Sequence, residues 1–252
     1  MRLVNESLDL LLPFGCDICG GYADALRRCG RIEELYRKLY PDLPPFHICS
    51  RCLSGLVPQE RDKRWFTCLS NPVEDDPYAD LALFMPFSYS GIVDKAMPAI
   101  KFEGKRELAR LFGILLGTAV REEGISPDLV MPVPLSSVRY RERGYNQAEE
   151  IAFPVSVMTS GKLVTDAIVR TRNTSRQSGI TGSCARLLNV SGAFELSEAW
   201  DVTGCRVLLI DDVSTTGHTL RECAVPLLEG GAKEVLCCAF AGNRQLKNDE
   251  PF

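Results

Sequence analysis

The sequence has no long apolar run, no excess of basic residues and no repeat, and each absence excludes a class of protein. No apolar stretch approaches the ~18 residues of a membrane-spanning helix, so no membrane span is expected. The formal net charge is −4, which argues against a protein that binds nucleic acid through its overall charge. Neither an internal repeat nor a low-complexity segment is evident, so solenoid and fibrous chains are excluded.

The remaining composition is that of an ordinary globular protein. The chain has 252 residues, of which 45% are hydrophobic and 25% are charged. This length allows a substantial core, organised as one large domain and a small one. The first 16 residues combine an arginine with acidic residues and a proline, which is a poor secretory signal. We therefore expect a cytoplasmic protein.

The segment 205–220, CRVLLIDDVSTTGHTL, carries the strongest functional pattern. A short apolar run, typical of a buried parallel strand, ends at Asp211 and Asp212. Small hydroxyl residues follow, and backbone N–H groups at the start of a helix bind anions well. Gly217 would allow close approach of a phosphate. This pattern predicts a site for a ligand with hydroxyl and phosphate groups and a nearby Mg²⁺ ion. The alternative is an ordinary strand end, with a threonine capping the next helix.

Six of the 11 cysteines lie before residue 70, and four of them have metal-ligand spacing. Two C-x-x-C pairs, Cys16 with Cys19 and Cys49 with Cys52, predict a closed structural Zn²⁺ site. Disulfides or redox motifs are the alternative, which a reducing compartment disfavours. Between the pairs, residues 24–40 have the spacing of a basic amphipathic helix. That helix is either a solvated face or a contact for nucleic acid or a partner.

The remainder alternates between strand and helix patterns. Strands are predicted at 84–89, 129–134, 163–169, 206–210 and 235–241, and helices at 91–102, 106–120, 145–158 and 216–229. Pro154 is expected to kink or interrupt its helix. Strands joined by helices predict a parallel sheet, whose ligands bind at the carboxyl ends of the strands. The predicted fold class is therefore α/β, with a small N-terminal domain at 1–70, a linker and first strand at 71–86, and a core at 87–252.

Two further polar segments follow strand patterns. Arg139, Arg141 and Arg143 cluster after the strand at 129–134, and guanidinium groups clamp phosphoryl oxygens well. The alternative is an exposed helix start whose arginines pair with nearby glutamates. The polar segment 170–194 is predicted to be a mobile loop that closes over the site, or else a plain surface loop.

Together these segments resemble the ComF (ComFC-type) competence family of phosphoribosyltransferases. The residues that carry the resemblance are the cysteine pairs, IKFEGKRELA, MPVPLSSVRYRERGYNQA, RTRNTSRQSGITGSCARLLNVSGAF and LLIDDVSTTGHTL. The last of these is similar to the phosphoribosyl pyrophosphate (PRPP) motif of type I phosphoribosyltransferases. The resemblance covers most of the chain.

The resemblance implies a type I phosphoribosyltransferase core behind a zinc ribbon, with PRPP and Mg²⁺ as ligands. It also implies a role in uptake of single-stranded DNA, together with a competence helicase and a recombination mediator. Asp211 and Asp212 would bind the ribose hydroxyls, and Arg143 would act with them in catalysis. The other residues implied for ligand binding are Lys101, Arg139, Asn146, Gln147, Val213, Ser214, Thr215, Thr216, Gly217, His218 and Thr219. Arg172, Gln177, Arg186 and Asn189 also fall on family-typical positions.

Two function classes remain open at this point. One is a transferase that moves ribose 5-phosphate from PRPP to an unidentified acceptor. The other is a non-catalytic module that binds PRPP or nucleic acid within a DNA-handling complex. Thr215 stands where oxopurine salvage enzymes carry an aspartate that acts on the base, which slightly favours the second class. Any contact with single-stranded DNA is expected on the 24–40 helix, with Tyr36 and Tyr40 stacking on bases. Its basic residues are Arg27, Arg28, Arg31, Arg37 and Lys38.

Overall fold

A computed structural model describes residues 14–23, 30–44, 46–68, 78, 80–171 and 192–242. Within these ranges there are helices of very different length, which we number in chain order. The helices are α1 Gly30–Leu39, α2 Ser50–Ser54, α3 Ile92–Phe102, α4 Arg106–Glu122, α5 Ser137–Arg143, α6 Gln147–Thr159 and α7 His218–Glu229. The strands are β1 Trp65–Thr67, β2 Ala82–Phe84, β3 Phe87–Ser88, β4 Leu129–Pro132, β5 Lys162–Leu163, β6 Ile168–Arg170, β7 Phe194–Leu196, β8 Arg206–Ser214 and β9 Glu234–Gly242.

The main sheet is almost entirely parallel, as the alternation of strands and helices predicts. Its strand order is β1-β2-β9-β8-β4-β5, with β3 also pairing with β9. Only the β1–β2 pair of this sheet, as far as the structure describes it, is antiparallel. A separate antiparallel pair joins β6 and β7. The long strands β8 and β9 therefore occupy the interior of the sheet.

The side chains of β8 alternate between two cores, one on each face of the sheet. Leu208 and Ile210 belong to the hydrophobic cluster that contains residues of α3, α4 and α6. Val207 and Leu209 belong to the cluster that contains residues of α7. Successive side chains of a strand point to opposite faces, and a strand covered on both faces has to be apolar throughout. This explains the continuous apolar run that the sequence shows before Asp211.

Helices α4 and α6 pack closely because a glycine of α4 faces the backbone of α6. A Cβ atom at Gly113 would lie 2.5 Å from the carbonyl oxygen of Ile151 and 2.9 Å from Cγ of Pro154. Helix α6 runs through Pro154 without a break, so of the two predicted effects of this proline the interruption is wrong, and the kink stays a prediction. Pro154 is buried, and its contact with α4 offsets the loss of one backbone hydrogen bond.

Several predicted element boundaries also differ from the structure. The strand predicted at 84–89 is divided between the end of β2 and β3. The single strand predicted at 163–169 is divided into β5 and β6, which pair with different partners. Strand β8 continues through Asp211 to Ser214, because β9 pairs with it as far as Gly242. Helix α7 starts at His218 instead of residue 216, since Gly217 has a left-handed φ of 79°.

The N-terminal residues and the sheet share one hydrophobic core. Cys16 and Cys49 lie in the same cluster as Ile100 of α3 and Leu108 of α4. Strand β1, which falls inside the predicted N-terminal unit, pairs with β2 at the edge of the main sheet. The division into domains at residue 70 stays a prediction.

Helix α1 forms at the place where the insert between the cysteine pairs was predicted to be helical. Tyr36 is only 1% exposed, and Tyr40 packs against Tyr36 and Phe153. The burial of Tyr36 contradicts the expectation that it stacks on bases, whereas the expectation for Tyr40, which is half-buried and directly follows α1, stays a prediction. Among the described helices, none is long and apolar enough to cross a membrane.

Candidate functional site

The two adjacent carboxylates lie in the second half of β8 and bind neighbouring groups of the protein. Oδ1 of Asp211 accepts the backbone N–H of Asp212 at 2.8 Å, and Oδ1 of Asp212 accepts that of Val213 at 2.6 Å. The last turn of α3 brings Lys101 to the pair, with its Nζ 2.9 Å from Oδ2 of Asp212. Both members of this ion pair are largely shielded from solvent. The structure therefore brings Lys101, which the sequence separates widely from the acids, into the same site.

The surroundings of the acid pair disfavour the ionised form of Asp211. Burial, and next the negative charge of Asp212, raise the pKa of Asp211 to about 7. The positive charges of Lys101 and Arg139 act in the opposite direction. Because two close carboxylates resist double ionisation, nearby cations or hydroxyl donors are needed to stabilise the fully charged pair. A ligand that supplies them would bind favourably here.

The loop after β8 is shaped by a side-chain hydrogen bond and by a glycine. Oγ of Ser214 accepts the backbone N–H of Gly217 at 3.0 Å. A Cβ atom at Gly217 would lie 2.8 Å from Sγ of the buried Cys68. Only glycine meets both the left-handed backbone conformation and this close contact. The loop ends at the N-terminus of α7, where free N–H groups and the positive end of the helix dipole favour an anion.

The side chains of the loop differ in their exposure. Thr215 is exposed, whereas Val213, Thr216 and Thr219 are half-buried, and Ser214 and His218 are buried. Thr215 is therefore the threonine of this loop that is most accessible to a ligand. The resemblance implied that Val213–Thr219 bind the ligand, with the 5-phosphate at Ser214–Thr219. The structure places these residues from the end of β8 to the start of α7, directly after the acids.

Helix α5 carries the arginine cluster and has a defined cap at each end. The side chain of Ser136 caps its N-terminus, and Gly144, with a φ of 74°, ends it. Burial, followed by the positive charge of Arg139, lowers the pKa of Arg143, while the charge of Asp212 raises it. Arg143 and the acid pair are thus close enough to influence each other. Arg141 bends back to the carbonyl of Ser137 on its own helix.

Two residues that the sequence analysis did not single out also belong to this region. Burial, and next the charge of Arg139, lower the pKa of Arg170 at the end of β6, whereas the charge of Asp211 raises it. Burial, followed by the charges of Asp94 and Asp212, raises the pKa of Tyr89, which directly follows β3. Both residues stand at the carboxyl end of a strand, and this position is the signal that could have identified them.

Asn146 and Gln147 occupy the start of α6. Nδ2 of Asn146 donates to the carbonyl of Val133 at 3.0 Å, and its Oδ1 accepts the N–H of Ala148 at 3.1 Å. Asn146 therefore joins the end of β4 to the N-terminus of α6, so its described contacts are structural. Nε2 of the buried Gln147 has no hydrogen-bond partner within the described part of the chain.

The four cysteines of the two C-x-x-C pairs lie together, as their spacing predicts. The Sγ atoms of Cys16, Cys19, Cys49 and Cys52 all lie within 4.8 Å of one another. The Cys19 and Cys49 sulfurs are 3.7 Å apart, close to the ~3.8 Å that tetrahedral Zn–S bonds of about 2.3 Å require. All cysteines in the described ranges are free thiols. This cluster could hold a metal ion.

The cysteine cluster is tied to the turn that carries Lys101. Asp17, inside the first pair, accepts the backbone N–H of His47 at 2.7 Å and Nζ of Lys105 at 2.8 Å. Next along the chain, Arg106 donates to the carbonyl of Gly144 at 2.9 Å. Residues 101–106, which cover the end of α3, the short turn and the start of α4, therefore contact the acid pair, the first cysteine pair and the end of the arginine helix.

Some predicted residues lie outside the described residues. These are Arg27 and Arg28 of the insert, and Arg172, Gln177, Arg186 and Asn189 of the polar loop.

Comparison with known proteins agrees with this geometry. The phosphoribosyl transferase domain family matches residues 105–251, more than half of the chain. The DNA utilization protein YhgH of Escherichia coli O157:H7 is 30% identical over 241 residues, which cover 90% of this chain and 96% of that protein. Competence protein F of Haemophilus influenzae is 33% identical over 132 residues, covering 52% of this chain and 57% of the relative. Competence protein ComFC of Bacillus subtilis is 28% identical over 148 residues, with 58% and 57% covered.

The parallel sheet, with acids and a hydroxyl-rich loop at the end of its central strand, defines an α/β protein of the phosphoribosyltransferase class. The chain belongs to the phosphoribosyl transferase domain family. Its similarity to competence protein F, ComFC and YhgH confirms the resemblance drawn from the RGYNQA and LLIDDVSTTGHTL segments.

Proposed function

We propose that this protein binds PRPP with Mg²⁺ and transfers its ribose 5-phosphate to an acceptor. The observation that carries the proposal is the adjacency of three features at one sheet edge. These are the acid pair at the end of β8, the Ser214–Thr219 loop leading into α7, and the arginines of α5. The acid pair suits the ribose hydroxyls, the loop suits the 5-phosphate, and the arginines suit the pyrophosphate.

The charges of the site fit the proposed reaction. An acceptor nucleophile forms a bond to C1 of the ribose, and the bond between C1 and the pyrophosphate oxygen breaks with its electron pair leaving on pyrophosphate. Asp211 and Asp212 would orient the ribose by accepting hydrogen bonds from its hydroxyls. Their negative charge would also stabilise the positive charge that develops on the ribose ring. Arg139 and Arg143 would stabilise the departing pyrophosphate.

Lys101 has a clear place in this scheme. In the structure it neutralises Asp212 at 2.9 Å. When the ribose hydroxyls donate hydrogen bonds to the carboxylate of Asp212, the ammonium group of Lys101 is free to pair with a phosphate group of PRPP. Lys101 would then exchange one anionic partner for another without being left unpaired in a shielded site.

The donor groups also fit the two metals implied by the family resemblance. Mg²⁺ prefers carboxylate and phosphate oxygens and keeps several of its waters, and the groups that would face it are Asp211, Asp212 and the pyrophosphate. It would supply positive charge to the leaving group. Zn²⁺ fits the thiolates of Cys16, Cys19, Cys49 and Cys52. There it would have a structural role and hold the two C-x-x-C turns of the N-terminal segment together.

The second candidate is a PRPP- or nucleic-acid-binding module without catalysis. Thr215 favours it, because a threonine there cannot act as a general base toward an acceptor. The cellular role that we propose is cytoplasmic handling of single-stranded DNA during competence, with a helicase and a recombination mediator as partners. Its support is the competence and DNA-utilization names of the relatives.

A binding measurement and a turnover measurement together test the proposal. Isothermal titration with PRPP in Mg²⁺ buffer should show binding in the wild type and its loss in Asp212→Asn. Pyrophosphate release should then be measured with a panel of nitrogen nucleophiles. Binding with release supports the transferase, and binding without any release supports the module. Absence of PRPP binding would refute the transferase and the PRPP-binding form of the module.

A further inference from the structure

Asp17 links the two cysteine turns to each other. It directly follows Cys16, and its backbone N–H donates to the carbonyl of His47 at 2.8 Å. In the opposite direction, Oδ2 of Asp17 accepts the backbone N–H of His47 at 2.7 Å. His47 stands two residues before Cys49. Whatever holds the two C-x-x-C turns together therefore also fixes the position of Asp17.

The other carboxylate oxygen of Asp17 binds a residue that is distant in the sequence. Its Oδ1 accepts a hydrogen bond from Nζ of Lys105 at 2.8 Å. The side chain of Asp17 is only 11% exposed, and an ion pair that is partly buried is screened much less by salt than one in open solvent. This pair therefore holds the turn after α3 against the cysteine cluster.

The turn after α3 is short and internally hydrogen-bonded. The backbone N–H groups of Glu103 and Lys105 both donate to the carbonyl of Ala99, at 3.1 Å and 3.3 Å. Gly104 has a left-handed φ of 71°, a conformation that glycine adopts without strain. Lys101, which binds the acid pair, lies between these bonded residues. A displacement of Lys105 should therefore also displace Lys101.

The same turn contacts the end of the arginine helix. Nη2 of Arg106 donates to the carbonyl of Gly144 at 2.9 Å, and its guanidinium carbon lies 4.5 Å from the ring centroid of Tyr145. Gly144 directly follows Arg143. Residues 101–106 therefore reach both groups that are proposed to hold PRPP, namely the acid pair and the arginines.

We propose that Asp17 is a positioning residue of the PRPP site, and that it couples the cysteine turns to that site through residues 101–106. This inference rests on the proposed binding of PRPP and adds a means by which that site is controlled. When the two cysteine turns are held together, Asp17 keeps Lys105 in place, and the turn then presents Lys101 to the acid pair. Coupling between two binding sites is reciprocal, so PRPP should strengthen metal binding as the metal strengthens PRPP binding.

The first test measures the affinity of the zinc-loaded protein for Mg²⁺-PRPP by isothermal titration. Asp17→Asn and Lys105→Met should each weaken binding by roughly 5-fold, the lower end of typical coupling between sites. The double variant should lose no more than either single variant, because both changes remove one contact.

Asp128→Asn is a matched control for this titration. Asp128 likewise accepts a backbone N–H, at 2.8 Å, and an ion pair, both from Arg206. These contacts lie at the amino ends of β4 and β8, at the opposite edge of the sheet from the acid pair. Asp128→Asn should therefore bind PRPP as the wild type does.

The second test measures the metal instead of PRPP. The zinc affinity is determined by equilibrium competition with a chromogenic chelator, with and without PRPP, in excess Mg²⁺ that saturates the pyrophosphate. In the wild type, PRPP should raise the zinc affinity by roughly 5-fold. Asp17→Asn should still bind one zinc ion per chain but should lose this gain. If Asp17 only stabilised the fold, its substitution would lower the zinc affinity equally with and without PRPP.

The outcomes separate this inference from the proposed function. If the wild type binds PRPP and Asp17→Asn binds it equally well, the coupling is refuted while the PRPP site stands. If Asp128→Asn weakens binding as much as Asp17→Asn, the loss reflects general destabilisation and the positioning role is refuted. Additive losses in the double variant would show that Asp17 does not act through Lys105, which overturns the link. If the wild type does not bind PRPP, the proposed function and this inference are both refuted.

Discussion

Lys101 and Asp212 form an ion pair of 2.9 Å between the last turn of α3 and the central strand β8. Because Lys101 neutralises Asp212, this shielded carboxylate carries no unpaired negative charge in the structure. It also fixes the turn that leads to Phe102, Lys105 and Arg106. A ligand that competes for Asp212 therefore acts on the contacts of this whole turn.

Asp212→Asn should weaken binding of Mg²⁺-PRPP by at least ~10-fold, or about 1.4 kcal/mol. The amide keeps the size of the side chain and removes the charge that accepts the ribose hydroxyls. It also leaves Lys101 without its anionic partner. Calorimetric titration measures the effect, and Asp42→Asn, a change at an exposed position, serves as the control. Equal affinities of wild type and Asp212→Asn would remove the acid pair from the ligand site.

Asp211→Asn should stabilise the protein more at pH 8 than at pH 5. The folded-state pKa of Asp211 is raised to about 7 from an ordinary value of about 3.9, so the folded state holds this proton more tightly than the unfolded state. The stability that Asp211 contributes is therefore complete below about pH 4 and is lost as the pH rises to about 7. An asparagine does not ionise and escapes this loss.

Unfolding by urea at both pH values measures this difference. Asp201→Asn is a control of opposite sign, because hydrogen bonds from the Thr203 hydroxyl and backbone N–H lower the pKa of Asp201. That variant, whose unfolding is also measured at pH 3, should lose slightly more stability at pH 8 than at pH 3. A difference between wild type and Asp211→Asn that is the same at pH 5 and pH 8 would contradict the raised pKa.

Protein purified without added metal should contain one Zn²⁺ ion per chain. Cys49→Ser should lose it, because a structural zinc site needs all four thiolates. Elemental analysis by mass spectrometry provides the count. Cys205→Ser, a change at a cysteine outside the cluster, should keep the ion. A metal content that is unaffected by Cys49→Ser would show that another group of residues binds it.

Asp17→Asn should destabilise the fold while leaving the metal bound. Asp17 accepts hydrogen bonds from Lys105 and from the backbone of His47, and weakening them should cost about 1–2 kcal/mol. For a chain of this size the midpoint of thermal unfolding would fall by roughly 2–8 °C. Calorimetry on the metal-loaded protein measures the midpoint. Loss of zinc in this variant would instead make Asp17 part of the metal site.

Single-stranded DNA should bind weakly, and its affinity should fall as salt rises, since each neutralised phosphate releases counterions. Arg31, Arg37 and Lys38 of α1 are exposed, although Arg37 is paired with Glu33 at 2.7 Å. Arg31→Glu/Lys38→Glu should reduce binding in a fluorescence-polarisation titration. Arg121→Glu/Lys233→Glu changes the net charge equally at other exposed positions. If both double variants bind DNA with the same affinity, the basic residues of α1 form only a solvated face.

The local parts of the site could be predicted from the sequence because their chemistry depends on neighbours in the chain. An apolar strand, two acids and a glycine-containing hydroxyl loop specify an anion site over residues 206–219 without any distant partner. The C-x-x-C spacing likewise specifies two turns that each present two thiols. In both cases the covalent spacing sets the geometry.

Contacts between distant segments depended on the tertiary structure. Nothing in the sequence pairs Lys101 with Asp212, or Asp17 with Lys105, because these contacts arise from the packing of α3 and α4 against the sheet and the cysteine turns. The same packing buries Tyr36, and the pattern of charged residues in α1 does not reveal this burial. Pairing with β9 extends β8 through the acids. The sequence by itself determined which groups carry the chemistry, whereas long-range packing decided which of them meet, since burial and strand pairing are properties of the whole fold.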